Sequence, residues 1–319
     1  SWSQPHTVIE VVNDDMPFLV DSTTAALNQL KLVVHLVIHP MYSCERDARG
    51  NLVRILERGA SSDKAINESF MRIEINEQPK EKLSEIRNKI EGVLKDIRSS
   101  VDDWSQMRTK MRTIIDELEV HPADLPVEEV GEVRDFLRWI YENHYTFLGF
   151  REYSFKGTGK NANVVPDKGS GLGILSSATR KEFEELSLLA SLPDRPKASA
   201  SEPHNLLTIA KSDSIATVHR PAHMDVIGII RLDAKGNIIG QRMFVGLFTS
   251  SAYSLNPQDI PVLRRKLQNA LVRAAYPTAS HASKALQNIL ETFPRDELYQ
   301  VSEDKLLETS VGILRLQDR

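Results

Sequence analysis

The sequence has a single cysteine, Cys44, among 319 residues, and it has no excess of positive charge. One thiol cannot form a disulfide within the chain or build a cysteine-rich metal cage, and such sparing use of cysteine is typical of the reducing cytoplasm. The formal net charge of −4 argues against a nucleic-acid partner, because nucleic-acid binders carry a basic surface. Apolar runs of about 20 residues are also missing, so we expect no membrane span.

What remains is the composition of a globular protein, with 41% hydrophobic and 26% charged residues. A chain of this length is expected to form two domains. It does not begin with Met, and it stops within a helix-like pattern. We therefore expect it to be an excised piece of a longer polypeptide.

The first part of the sequence predicts a sheet with helices. Dense apolar residues at 7–12 predict a strand, and residues 18–30 follow with helical spacing. Three further strand patterns precede a long helical run at 80–118, which Asp102-Asp103 divides. The predicted order is β-α-β-β-β-α. Two prolines within residues 121–129 indicate a boundary.

The second part of the sequence also combines helical and strand patterns. A helix leads into the strand pattern TFLGFREYSF, and four more strand candidates follow: LLTIAK, IATVH, MDVIGIIRL and IIGQRMFVGLF. Helical spacing dominates from Ile260 onward. We predict the α+β class, with two modules of mixed or antiparallel sheet and packed helices. The predicted boundaries are 1–120, 121–145 (linker and helix), 146–255 and 256–319 (helical segment).

Two glycine-rich stretches are candidates for nucleotide binding. Residues 169–173 (GSGLG) lack the spacing of a dinucleotide fingerprint, and residues 157–161 (GTGKN) lack that of a phosphate loop. We interpret both as mobile turns. We therefore expect no cofactor site in this chain.

Histidine pairs are candidates for metal binding. His35 and His39 are four residues apart, as are His219 and His223. On a strand this spacing separates the side chains by about 13 Å, which is too far to share one zinc ion. No further ligand accompanies either pair, so we expect no metal site.

The stretch NDDMPFLVD, residues 13–21, admits two interpretations. Asn and Asp accept hydrogen bonds from free amides at a helix start, and Pro suits the first turn, so capping alone would explain it. The alternative is a small-molecule site at a strand-to-helix junction, where the acidic groups could hold an ammonium. The candidate effector-binding residues are Asn13, Asp14, Asp15, Met16 and Asp21.

Four separated blocks resemble one family, the large bacterial NAD-dependent glutamate dehydrogenases. These blocks are NDDMPFLVDS (13–22), TFLGFREY (146–153), VHRPAH (218–223) and LETFPRDEL (290–298). The resemblance implies the non-catalytic N-terminal part of a very long subunit. The parent enzyme would oxidise L-glutamate to 2-oxoglutarate and ammonia with NAD.

The resemblance also implies two modules, an ACT-like one followed by a PAS-like one, which sense small molecules or mediate assembly. An ACT domain runs β-α-β-β-α-β, with a glycine just after the proline of its first loop. Here Phe18 stands at that position. The implied partners are the other domains of the subunit, neighbouring subunits of a homo-oligomer and an amino-acid effector.

Three functions follow as hypotheses. The leading one is a regulatory and assembly region of an NAD-dependent glutamate dehydrogenase, inactive alone. The rival is a purely structural subunit-interaction module that binds nothing small. The third is an independent hydrolase or transferase, which would depend on the polar cluster His219, Arg220 and His223 without a complete nucleophile–base set.

Overall fold

The computed structural model describes residues 6–57, 59–60, 62–120, 126–156, 163–176, 206–233, 238–277 and 280–317. The chain forms two compact units. Unit 1 consists of Ser1–Asp102 and Ile215–Ala222, and unit 2 of Asp103–Ser214 and His223–Arg319. The predicted α+β class is confirmed, with two antiparallel sheets and nine α-helices in the described residues.

Unit 1 contains a five-stranded sheet and two helices. In chain order they are β1 (His6–Asp14), α1 (Leu19–Gln29), β2 (Val34–Ile38), β3 (Met41–Arg46), β4 (Leu52–Ile55), β5 (Ala65–Asn76) and α2 (Lys80–Asp102). The strands are arranged β1-β5-β3-β4, and β2 also pairs with β5. The predicted order was one strand short, because β3 was missed. β3 has a polar sequence without the apolar alternation that marks a strand. It forms a strand because it pairs with both β5 and β4.

The core of unit 1 follows from the alternation along β5. Met71, Ile73 and Ile75 are buried on one face of this strand. Leu27 of α1 and Ile90 of α2 pack against them. Because side chains alternate along a strand, the residues between them lie on the opposite face of the sheet.

Unit 2 is built around a six-stranded sheet that follows two helices. Its first elements are α3 (Trp104–Glu119), α4 (Val127–Trp139), β6 (Tyr145–Lys156), β7 (Asn163–Pro166), β8 (Leu172–Gly173), β9 (Leu207–Ile215), β10 (His223–Leu232) and β11 (Ile238–Phe248). The strand order is β7-β6-β11-β10-β9, and β8 pairs with β6. A π-turn at Ile140–His144 joins α4 to β6.

Helices complete unit 2, as the pattern from Ile260 predicted. They are α5 (Ser250–Ser254), α6 (Leu263–Ala274), α7 (His281–Thr292), α8 (Arg295–Gln300) and α9 (Glu303–Gln317). Leu267, Leu290 and Leu306 of these helices share one buried cluster with Phe244 of the sheet. The sheet and the C-terminal helices of unit 2 therefore have a common core.

Several predictions differ from the structure in detail. Four strands were predicted between residues 206 and 248, but the structure has three, because IATVH is not a strand of its own: β9 ends at Ile215. The predicted division of the helical run at Asp102-Asp103 is confirmed. The first module was predicted to extend to residue 120, whereas α3 lies in unit 2. The glycine-rich stretch 157–161 lies outside the described residues.

The second glycine-rich stretch has a packing explanation. Gly173 has a φ of 60°, and a Cβ there would lie 2.1 Å from the carbonyl oxygen of Leu148. It pairs with Gly149 where β8 meets β6. Only glycine permits this approach. Close strand contact therefore accounts for Gly173, rather than a mobile turn.

Candidate functional site

The predicted effector residues lie at the end of β1 and in the loop to α1. Asn13 and Asp14 are the last two residues of the strand. Arg98 of α2 donates to both: Nη1 lies 2.7 Å from Asp14 Oδ2, and Nη2 lies 3.0 Å from Asn13 Oδ1. Because Arg98 already neutralises Asp14, this carboxylate is poorly suited to hold a ligand ammonium.

The other two acidic candidates face solvent. Asp15 is exposed, and its backbone N–H donates to the carbonyl of Asn67 at 2.9 Å, which fixes the loop to the start of β5. The side chain of Asp21, in the first turn of α1, is 68% exposed. Met16, which lies between them in the sequence, is partly buried. Asp15 and Asp21 therefore provide the accessible negative charge of this loop.

The capping interpretation is wrong. The residue before α1 is Phe18, and no side chain accepts a hydrogen bond at this cap. Asn13 belongs to β1, and Pro17 precedes the helix by two positions. The acidic stretch therefore closes a strand and forms a loop, without the helix-capping contacts that its composition predicted.

Phe18 adopts a backbone conformation that favours glycine. Its φ is 74° and its ψ is 0°, in the left-handed region, which costs a residue with a Cβ roughly 1–2 kcal/mol. This is the position at which the resemblance implied a glycine. The ring of Phe18 is partly buried, and its centroid lies 5.0 Å from that of His219. An aromatic contact thus occupies the junction of β1 and α1.

His219 lies in residues 215–222, the loop that runs from the end of β9 to the start of β10. The backbone N–H of His219 donates to the buried hydroxyl of Ser22 at 2.8 Å. Thr217 donates to the buried carboxylate of Asp96, in α2, at 2.7 Å. This segment, the 215–222 loop, is therefore hydrogen-bonded to both helices of unit 1.

The conformation of the 215–222 loop is itself tight. Ala216 N–H donates to the carbonyl of Ala222, and Ala222 N–H donates to that of Arg220, both at 2.9 Å. His219 has a φ of 72°, so it is a second non-glycine residue in the left-handed region. Its Nδ1 lies 3.9 Å from Asp21 Oδ2, an attractive pair only when the imidazole is protonated. This geometry explains why IATVH does not continue as a strand.

The residues of the predicted polar cluster are divided between the two units. His219 and Arg220 belong to the 215–222 loop of unit 1, but His223 is the first residue of β10 in unit 2. The Nδ1 of His223 lies 2.9 Å from the carbonyl of Ser212. His219 instead contacts the predicted effector loop. Within unit 1, the structure thus brings His219 of the polar cluster near Asp21 of the effector set.

Unit 2 contains a partly buried ionic cluster that the sequence did not predict. Lys211 of β9 lies 2.7 Å from Asp225 of β10 and 3.2 Å from Asp296 of α8. Tyr253 donates to Asp296 at 3.1 Å, and Tyr145 donates to the backbone carbonyl of Asp225 at 2.7 Å. The cluster links the sheet to the helices that follow it.

The charges of this cluster depend on one another. Asp225 is 2% exposed, and its carboxylate also accepts a hydrogen bond from Phe248 N–H. Burial alone would lower the pKa of Lys211, but the hydrogen bond and charge of Asp225, together with Tyr253 and Asp296, outweigh burial and raise it. Burial, reinforced by Asp225, raises the pKa of Tyr145 well above its ordinary value. Each group is satisfied by its neighbours, so the arrangement favours a structural role.

The described part of the chain contains neither a cluster of metal ligands nor a membrane-spanning helix. No three metal-ligating side chains converge within it. No helix in the same residues is long and apolar enough to cross a membrane. Arg98, Ser22 and Asp96 were missed, since each lies within a helical pattern and nothing in that pattern indicates its long-range partner.

Comparison with known families gives two matches. Residues 1–90 match the family "Glutamate dehydrogenase, ACT1 domain", which covers β1 through the first part of α2. Residues 260–319 match "Glutamate dehydrogenase, helical motif 1", which covers the helices from α6 onward.

Whole-chain comparison gives relatives with one name. The NAD-specific glutamate dehydrogenase of Pseudomonas aeruginosa is 36% identical over 319 residues, and that of Halomonas elongata is 33% identical over 326 residues. The protein of the same name from Mycobacterium tuberculosis is 23% identical over 310 residues. The alignments cover 97–100% of this chain but only 18–20% of the relatives. The chain therefore matches an N-terminal region of NAD-specific glutamate dehydrogenases, and it spans about one fifth of the length of these relatives.

Proposed function

We propose that this chain is a regulatory and assembly region of a cytoplasmic, homo-oligomeric NAD-specific glutamate dehydrogenase. The parent enzyme would convert L-glutamate to 2-oxoglutarate and ammonia with NAD as its cofactor. The region itself would be inactive alone, would contact other domains and neighbouring subunits, and would bind an amino-acid effector. Residues 146–255 would serve as the PAS-like module.

The observation that carries this proposal is the contact between the β1–α1 loop and the 215–222 loop. Asp15 and Asp21 supply exposed negative charge that suits an α-ammonium group, and the contacting rings of Phe18 and His219 supply aromatic surface, with His219 Nδ1 3.9 Å from Asp21 Oδ2. A ligand at this place would touch both loops. Any shift of His219 would then act on the hydrogen bond to Ser22.

Calorimetric titration of the 319-residue chain with a panel of amino acids tests effector binding. We expect saturable binding of an amino acid that is lost in Asp15→Ala and retained in Asp63→Ala, an exposed aspartate on the loop before β5. Binding that survives Asp15→Ala would place the effector elsewhere. Assay of the chain for glutamate-dependent NADH formation tests inactivity, and robust turnover would refute it.

The purely structural module is the second candidate. It is favoured by the hydrogen bonds from Arg98 to Asn13 and Asp14, because these two candidate effector residues already have a partner within the protein. This candidate predicts no heat of binding for any amino acid or nucleotide in the panel. The same titration therefore separates the two.

A further inference from the structure

One face of the unit 1 sheet is apolar and exposed. On the opposite face Met71 and Ile73 pack against α1 and α2, so residues in register with Phe70 and Arg72 point away from the helices. The strand pairings place seven large side chains on this outer face. Each is 42–52% exposed, and they are Val12, Leu36, Ile38, Tyr42, Leu52, Ile55 and Ile66.

The charges on the outer face are already paired within it. Arg72 lies 3.0 Å from Glu10 and 3.1 Å from Glu74. Arg46 donates from Nη2 to the buried Glu68 at 2.6 Å. These ion pairs leave little unbalanced charge to attract a nucleic acid or an anionic membrane. The partner that fits is another apolar surface with balanced charge.

The size of the outer face suits a protein interface. Four neighbouring strand positions of about nine residues give a face about 19 Å wide and about 30 Å long, or about 600 Å² in projection. A specific interface buries about 600–1,000 Å² per partner, so the face reaches the lower end of that range. One isolated unit 1 therefore has enough surface for a stable two-fold contact.

We propose that the outer face binds the outer face of a second copy of this chain, with the two sheets packed face to face. Two arginines and three glutamates pair on this face, so it is apolar with nearly balanced charge and can contact a second copy of itself, which is the requirement of a two-fold interface. Such sheets pack about 10 Å apart, with side chains interdigitated. This inference rests on the proposed assembly role and names its surface and partner.

Sedimentation equilibrium of the 319-residue chain tests the interface. We expect a dimer whose dissociation constant rises about a hundredfold or more in the double variant Leu36→Glu/Ile38→Glu, because the carboxylates would be buried in an apolar contact. The matched control is Val272→Glu, which charges an exposed apolar residue of α6. A monomeric wild-type chain, or unaltered dimerisation of the double variant, would overturn the proposal.

A milder double variant and cysteine cross-linking test the same interface independently. If the double variant does not fold by circular dichroism, Leu36→Thr/Ile38→Thr removes apolar area with a residue that favours strands. Ile38→Cys should cross-link between copies, while Val272→Cys should not, and Cys44 is fully buried and does not compete. A monomer that still binds an amino acid would refute the interface alone, whereas a dimer that binds none would refute only the sensing role.

Discussion

The backbone N–H of His219 donates to the hydroxyl of Ser22 at 2.8 Å, across 197 positions of sequence. This bond joins two blocks that the sequence presented as separate candidates, NDDMPFLVDS and VHRPAH. Both ends are conformationally restricted, since Ser22 is buried in α1 and His219 has a φ of 72°. The bond therefore defines the geometry of the proposed effector site.

Ser22→Ala should destabilise unit 1 by about 1–3 kcal/mol, because the N–H of His219 would lose its partner in a partly buried place. Urea unfolding monitored by circular dichroism measures this loss. The matched control is Ser310→Ala in α9, a fully buried serine whose hydroxyl has no hydrogen-bond partner among the described residues. Equal effects of the two variants would contradict a specific role for Ser22.

Two substitutions of Phe18 separate the energetic cost of backbone strain from the contribution of side-chain packing. Phe18→Ala removes the ring contact with His219 but keeps a Cβ at a φ of 74°, whereas Phe18→Gly removes both the ring and the strain. We expect the glycine variant to be the more stable of the two by about 1 kcal/mol. Thermal unfolding of both variants measures the difference.

Asn28, within α1, provides the control for this comparison. At an ordinary helical position glycine is less stable than alanine by about 1 kcal/mol, so Asn28→Gly should be less stable than Asn28→Ala. The two sites should therefore give opposite signs. The same sign at both would mean that Phe18 is not strained in solution.

The elements with regular apolar spacing could be predicted from the sequence. The alternation of ESFMRIEI specifies β5, and the steps of three and four specify α2 and α3, because burial of one face fixes these patterns. The strand β3 was missed because its form depends on its two neighbours. A local sequence pattern does not show whether neighbouring strands will pair with a segment.

The candidate site was predictable only as separate pieces. The composition of residues 13–21 indicated a special junction, but it favoured capping, since Asn and Asp are common caps. That Phe18 carries a positive φ, and that His219 packs against it, depends on contacts nearly 200 positions apart. Arg98 and Asp96 were unremarkable within a helix for the same reason.

The ionic cluster of unit 2 should behave as a coupled unit. Lys211→Met would leave the buried Asp225 without its cation, and Asp225→Asn would remove the counter-charge of Lys211. Each should cost about 3–5 kcal/mol, and the double variant should cost less than the sum of the two. Urea unfolding of all three variants measures the coupling.

An exposed ion pair is the control for this cycle. Lys305 and Glu308 in α9 have side chains that are 63% and 72% exposed, so Lys305→Met should have little effect. Additive losses in the Lys211 and Asp225 cycle would show that the two side chains act independently. That result would contradict the cluster as described.

Glu45 makes the hairpin of β3 and β4 sensitive to acid. Hydrogen bonds from Arg54 and Ser62 lower the pKa of Glu45 to about 2 from an ordinary value of 4.5. Because the folded pKa is the lower one, the stabilisation is fully present above pH 4.5 and is lost as the pH falls from there towards 2. Glu45→Gln should flatten the fall in thermal stability across this range, measured by circular dichroism, while Glu57→Gln, at an exposed glutamate beyond β4, should leave it steep. Identical pH profiles for Glu45→Gln and the wild type would show that the pair with Arg54 does not persist in solution.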